Sequence, residues 1–208
     1  MRIAREGWPF IAIGWFVLLA LAYLAPWYIA VIWLPVAIWV VAFFRDPVRQ
    51  GPRGDQLIIA PADGEVVSVI PLHEPRVING QAMRISIFMN VFSVHVNRYP
   101  TSGTVTLSQH ARGKFFHAAD EKAATQNEHA DVGVASPRGT LLIRQIAGSI
   151  ARRIVTDHTA GTAVTQGERM GLIRFGSRVD VFVPGGTRIL VKEGDVTRAG
   201  VTVIAEWT

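Results

Sequence analysis

The sequence predicts a mainly β, antiparallel globular domain behind an N-terminal hydrophobic helical hairpin. Three observations predict it. Residues 7–44 contain no Asp, Glu, Lys or Arg, in a chain that otherwise carries 21 basic and 16 acidic side chains. From residue 56 onward, short β-branched runs alternate apolar with polar positions and are bounded by Gly, Pro, Asn and Asp, the pattern of half-buried strands joined by turns. Only residues 117–126 have a helical composition in this part, with Ala118, Ala119, Ala123 and Ala124 set among charges.

A chain of 208 residues suits one ordinary domain with a small appendage. It has no cysteine, which excludes disulfides and thiolate metal sites and leaves the redox compartment undetermined. The net charge of +5 suits an anionic membrane surface, and no Lys/Arg run or aromatic-basic array argues for nucleic acid.

Taken in order, residues 1–44 read as a membrane-associated unit. The uncharged stretch is nearly twice the roughly 20 residues one spanning helix needs, and Pro26 divides it into predicted helices at 9–24 and 27–44. Arg2 and Arg5 precede the pair, and Arg45, Arg49 and Arg53 follow it, which places both ends on the cytoplasmic side. Five tryptophans and Tyr28, spread along the stretch, allow a shallow re-entrant hairpin as well as a spanning one. A cleaved signal peptide fits poorly, because the apolar run is too long and no small-residue cleavage site closes it. Residues 45–55, rich in Pro, Gly and Arg, read as a linker.

Within 56–208, strands are predicted at 56–60, 65–70, 82–89, 103–109, 131–135, 140–146, 150–155, 169–175, 178–183, 188–191 and 201–206. Residues 165–171 and 192–200 echo each other, each with a Gly-acid turn and a further Gly beyond. Such hairpins resemble those of biotinyl and lipoyl carrier domains, in which two small sheets wrap around each other. No lysine sits at the hairpin tip, so the likeness is architectural and points to a barrel-sandwich arrangement.

The chemistry centres on Gly176-Ser177, between the last two long strand patterns. Gly176 lets a neighbour approach its carbonyl closely, and Ser177 sets a hydroxyl beside that carbonyl. By itself the pair is a common turn. Asp63, in Ala62-Asp63-Gly64, is by itself a turn residue too. His95 lies among Val91, Phe92, Val94 and Val96, and reads either as a core histidine satisfied by backbone or as a neutral base.

Phe175-Gly176-Ser177-Arg178-Val179, preceded by Gly167-Glu168-Arg169-Met170-Gly171, resembles the processing site of the phosphatidylserine decarboxylases in their short bacterial and archaeal form. Pro61-Ala62-Asp63-Gly64, the stretch from Phe92 to Pro100 and Asn127-Glu128 resemble the family's other landmarks, in the family's order. The resemblance runs from about Phe44 to the C-terminus.

The resemblance implies a membrane-bound enzyme that decarboxylates phosphatidylserine to phosphatidylethanolamine through a Schiff base with a covalent pyruvoyl group, without metal or pyridoxal phosphate. Decarboxylation of an amino acid needs an electron sink that ordinary side chains lack. The only lysines, Lys114, Lys122 and Lys192, lie in no phosphate-cradling loop. The group would arise from Ser177 by autocatalytic serinolysis, leaving chains 1–176 and 177–208 as a heterodimer held by strands of one sheet. His95 would act as base and Asp63 would orient it. In larger members the corresponding segment carries two histidines three apart, and the second is usually credited with the triad role. Here that slot is Arg98, so His95 either serves both cleavage and turnover or leaves the first to another group. Lys114 and Phe115 suit a loop dipping into the headgroup region, and Asn127 is a further substrate-binding candidate. Two other readings remain: a pyruvoyl decarboxylase of a soluble amino-acid derivative, and a non-enzymatic membrane-anchored β adaptor or carrier-like module.

Overall fold

The computed structural model describes residues 2–149, 153–174 and 176–208; residues 150–152 of the predicted strand 150–155, and Phe175, lie outside them. The chain forms two compact units, one ending at Val48 and one running from Arg49 to Thr208.

In the first unit, Pro9 occupies the opening turn of α1 (Trp8–Leu24), where a missing N–H costs nothing. The helix stops before Pro26, and α2 (Trp27–Phe43) follows. Short strands β1 (Arg2–Ile3) and β2 (Arg45–Asp46) pair antiparallel at the open end. Small residues bring the helices together. A Cβ on Gly14 would sit 4.0 Å from Ala37 Cα, and the Trp33 indole N–H donates to the Gly14 carbonyl at 3.0 Å. Phe16, Leu19, Tyr23, Leu24, Trp27 and Ile32 are exposed, so the hairpin is apolar on its outside as well as along its seam. Among the described residues one helix, Arg5–Leu24, is long and apolar enough to cross a membrane, and Trp27–Phe43 is shorter.

The second unit is mainly β. Its elements are β3 (Leu57–Ile59), β4 (Gly64–Glu74), β5 (Gly80–Met89), β6 (Val96–Arg98), β7 (Gly103–Ala111), α3 (Ala123–Gln126), β8 (His129–Ser136), β9 (Gly139–Ala147), β10 (Ile154–Thr156), β11 (Ala163–Val164), β12 (Arg169–Ile173), β13 (Ser177–Pro184), β14 (Arg188–Ile189), β15 (Val196–Thr197) and β16 (Val203–Glu206). A curled, half-barrel antiparallel sheet of eight strands runs β11-β7-β8-β9-β13-β5-β4-β15. Two three-stranded sheets, β10-β12-β6 and β14-β16-β3, complete the unit. The core gathers Ile58, Val66, Ile85, Ile87, Val132 and Val181 between these sheets, all at most 1% exposed.

The two echoing hairpins share one turn chemistry. Glu168 accepts the Thr165 amide at 2.8 Å, and Asp195 accepts the Lys192 amide at 2.9 Å, each carboxylate reaching back three residues. Pro71 lies inside β4 where that strand's other edge is open, so its missing N–H breaks no ladder bond.

Two expectations change. Residues 117–126 do not form one helix: turns at His117–Asp120 lead into a single helical turn at Ala123–Gln126. Only Ala118, Ala123 and Ala124 of that stretch are buried, too little apolar surface to offset helix nucleation. The strands on either side of Gly176 also do not share a sheet. β12 lies between β10 and β6, whereas β13 lies between β9 and β5 of the eight-stranded sheet. Gly176 has φ +46°, a left-handed conformation that breaks the extended run and turns the chain from one sheet into the other.

Candidate active site

β13 is buried on both faces because it is central in the large sheet and a lobe, residues 112–127, covers its outer side. Ser177, Val179 and Val181 face the core, while Arg178, Asp180 and Phe182 face the lobe. Ser177 opens the strand, pairs with Met89 and Ala147, and is 0% exposed. Its hydroxyl donates to the Met89 thioether at 3.5 Å. Thioether sulfur is a weak acceptor, so a buried hydroxyl is held there with little to lose by turning elsewhere.

The neighbouring carbonyl is packed closely. A Cβ on Gly148 would lie 2.0 Å from the Gly176 oxygen and 3.2 Å from Ala118 Cβ. Only a glycine lets the end of β9 pass this near the peptide. Beside it opens a cavity of about 210 Å³ lined by Phe88, Asn90, Val91, His117, Ala118, Ser149 and Gly176. The His117 ring lies against Phe88, centroids 5.5 Å apart.

His95 is 0% exposed, and its Nδ1 lies 3.0 Å from the Ser93 carbonyl. A carbonyl only accepts, so Nδ1 carries the proton and, in the neutral ring, Nε2 is the basic atom. The His95 carbonyl accepts the Ile173 amide at 3.3 Å, which ties this segment to the chain just ahead of Ser177.

Asp63 is placed differently from the sequence expectation. Its Oδ2 accepts from Arg49 at 2.6 Å and its Oδ1 from the Ala199 amide at 2.7 Å. The structure does not bring it onto the imidazole. Arg98, in the slot of the second histidine, donates to the Gly167 carbonyl at 3.1 Å.

Lys114 and Phe115 are exposed on the lobe; the Lys114 ammonium lies 5.5 Å from the centre of the Phe116 ring and bonds Gln126. Asn127 is 1% exposed. Its Oδ1 accepts from the Phe116 amide at 2.8 Å, and its two N–H groups donate to Phe116 and Ala147 carbonyls at 2.8 and 2.7 Å. With both N–H groups engaged, Asn127 clamps the lobe's base to the end of β9. Among the described residues, no cluster of three or more His, Asp or Glu side chains could hold a metal ion.

The family model described as phosphatidylserine decarboxylase matches residues 36–205. The chain belongs to the phosphatidylserine decarboxylase family. It is 45% identical over 206 residues to a phosphatidylserine decarboxylase proenzyme of Symbiobacterium thermophilum, covering 97% of this chain and 94% of that one. A proenzyme of the same name from Azorhizobium caulinodans is 44% identical over 208 residues, covering 99% and 89%. A third, from Paraburkholderia phymatum, is 45% identical over 205 residues, covering 98% and 96%.

On this family scaffold, two groups of side chains escape a reading of the sequence. Asn97 and Gln145, both 0% exposed, meet beside Met89: Gln145 donates to Asn97 Oδ1 at 2.7 Å and Asn97 to the Met89 sulfur at 3.6 Å. The Gln145 Oε1 is buried without a hydrogen-bond partner among the described residues. The Asn97 carboxamide and the Ser177 hydroxyl thus both donate to one sulfur, and Gln145 holds Asn97 there. On the outer face, Arg178 donates to Asp180 at 2.6 and 3.1 Å and to Ser86 at 2.7 Å. The strict apolar alternation around Val179 and Val181 is the one sequence signal that fixes which face each of these residues takes.

Proposed function

We propose that this chain is a self-processing phosphatidylserine decarboxylase that makes a pyruvoyl group from Ser177. One observation carries the reading: a wholly buried serine opens a central strand directly after a left-handed glycine whose carbonyl is pressed against Gly148, in a family whose relatives are named proenzymes.

The cleavage is written from this chain's own atoms. Ser177 Oγ attacks the Gly176 carbonyl carbon, the C–N bond breaks, and the hydroxyl proton passes to the freed nitrogen, leaving an ester. His95 Nε2 takes and returns that proton as general base and acid. Loss of the Ser177 α-proton then breaks the Cβ–O bond, which frees the Gly176 carboxylate and leaves a dehydroalanine. Addition of water and loss of ammonia yield a ketone at the head of chain 177–208.

The site fits such a group. Ser177 is out of water, flanked by apolar Met89 and Ala147, with Val179 and Val181 of the core on the same face of its strand. Once formed, the group supplies the electron sink for the carbanion that departing carbon dioxide leaves on the substrate. The residues around it bind and shield. The cavity beside Gly176 admits a headgroup against Phe88 and Val91, and His117 is its ionisable wall. Asp63 neutralises Arg49 and holds Ala199 of the small chain in place across the cut.

The apolar hairpin would keep the enzyme at the membrane that holds its substrate, with both ends on the cytoplasmic side by their arginines. The product would be a heterodimer of chains 1–176 and 177–208. Intact mass of the purified protein tests the reading. A small chain whose mass matches a pyruvoyl-capped 177–208 is expected. A single full-length species that persists on long incubation overturns it.

A further inference from the structure

The lobe's far end, which brings His117 and Ala118 to the cavity and to Gly148, is fastened to the sheet by one carboxylate among the described residues. Beneath it lie two buried guanidiniums, Arg84 with a side chain 6% exposed and Arg178 at 1%. Asp180, fully buried, binds Arg178 in bidentate fashion and stands 3.8 Å from Arg84 Nε. One carboxylate against two guanidiniums leaves an excess positive charge that burial makes costly. Glu121, reaching in from the lobe, matches it: Arg84 Nη2 donates to its Oε1, and Arg178 Nη2 lies 3.7 Å from its Oε2. The Glu121 side chain is itself 63% exposed, so the joint sits at the border of water.

We propose that Glu121 is a positioning residue, a latch that closes residues 117–121 over the cleavage site. Arg178 directly follows Ser177, so the latch fastens the lobe to the strand that carries the reacting hydroxyl. The lobe's base is secured independently, by Asn127 on Ala147 and by Ala123 and Ala124 against Ile146. Losing the latch therefore frees the far end and leaves the base attached. Its effect on cleavage rests on the function proposed above, whereas its effect on the lobe does not.

Hydrogen exchange on the uncleaved Ser177→Ala chain tests the latch without any catalysis. With Glu121→Gln added, amides of residues 117–122 are expected to exchange about tenfold faster, while β5 and β13 keep their protection. Raising salt to about 1 M, where charges are screened beyond roughly 3 Å, should loosen the lobe of the Glu121 chain and leave the Glu121→Gln chain unchanged. In chains that keep Ser177, Glu121→Gln should slow cleavage about tenfold, equivalent to about 1.4 kcal/mol, and Glu121→Asp should recover part of the rate. Unchanged exchange in the lobe, or faster exchange throughout the sheet, overturns the latch. A loosened lobe with cleavage at the parent rate overturns its positioning role. Failure of every Ser177 chain to cleave would count against the proposed function instead, and the exchange result would still decide the latch.

Discussion

Gly148→Ala is the smallest change that tests whether the peptide proposed to be cleaved is held in a set place. The added Cβ would stand 2.0 Å from the Gly176 oxygen, 3.0 Å from its carbonyl carbon and 3.2 Å from Ala118 Cβ. Real Cβ atoms do not come within 3.0 Å of another heavy atom, so something must shift by about an ångström. The neighbours in that shell are the Gly176 peptide itself and the Ala118 methyl, neither a flexible side-chain end. Overpacking of this kind costs about 1–3 kcal/mol. If it falls on the geometry of attack, cleavage slows about 5- to 150-fold. The assay is a time course after a pulse of synthesis, with full-length chain and fragments resolved by denaturing electrophoresis. Gly80→Ala is the control, because its Cβ would meet only the Ile78 carbonyl at 3.9 Å. Thermal melting of the Ser177→Ala forms of both separates slow cleavage from poor folding. Cleavage of Gly148→Ala at the parent rate would refute the argument that close packing at this carbonyl sets up the reaction.

Ser177→Ala should fold and remain one full-length band, since the hydroxyl it loses holds only a thioether contact. His95→Asn should slow cleavage by at least about 100-fold, the lower range for losing a general base, with circular dichroism checking the fold. Asn97→Leu strands the Gln145 N–H group in the core and should cost about 1–3 kcal/mol. Pairing it with Gln145→Met removes the stranded group, so the double variant should melt higher than Asn97→Leu alone. Burial, then the charges of Glu168 and Asp157, raise the Tyr99 phenol well above its ordinary range. A folded pKa above the unfolded one gives stability that is intact below about pH 10. That stability is lost as pH rises toward the folded value. Alkaline unfolding followed by phenolate absorbance should therefore release Tyr99 only with the unfolding step, and Tyr99→Phe should flatten stability above pH 10.

What the sequence makes legible follows from local physics. Charge exclusion over residues 7–44 and Pro26 define the hairpin, observed as Trp8–Leu24 and Trp27–Phe43. Period-two alternation finds the long strands, and the Gly-acid turns find the echoing hairpins. What fails depends on tertiary context. β6 is a short strand ahead of Pro100 and is set by its pairing with β12, not by its own composition. Arg178 and Asp180 alternate with valines, a pattern that reads as a wet outer face; burial comes from a lobe distant in sequence. Asn97 and Gln145 carry no period and no charge, so nothing local points to them. Asp63 illustrates the opposite case: a motif residue is easy to find, yet its partners, Arg49 and Ala199, come from distant loops.

The switch of sheets at Gly176 also bears on how the chain would survive the proposed cut in its own core. If β12 and β13 were neighbours in one sheet, cleavage would sever a hairpin turn and free its edge. Instead β13 pairs along its whole length with β5 and through Phe182 with β9, both of which lie within residues 1–176. The rest of 177–208 is divided among partners: β15 on β4, and β16 on β3 with β14 beside it. Asp63 on Ala199 and Arg53 on the Gly200 carbonyl at 2.8 Å add side-chain ties across the proposed cut. None of these interactions uses the Gly176–Ser177 bond. The bond is therefore dispensable to the folded state, and its loss can be used entirely for chemistry. Separation of the two chains should then require denaturant concentrations that also unfold the Ser177→Ala protein. Fragments that part under native gel filtration would show that the small chain is not secured by its strands.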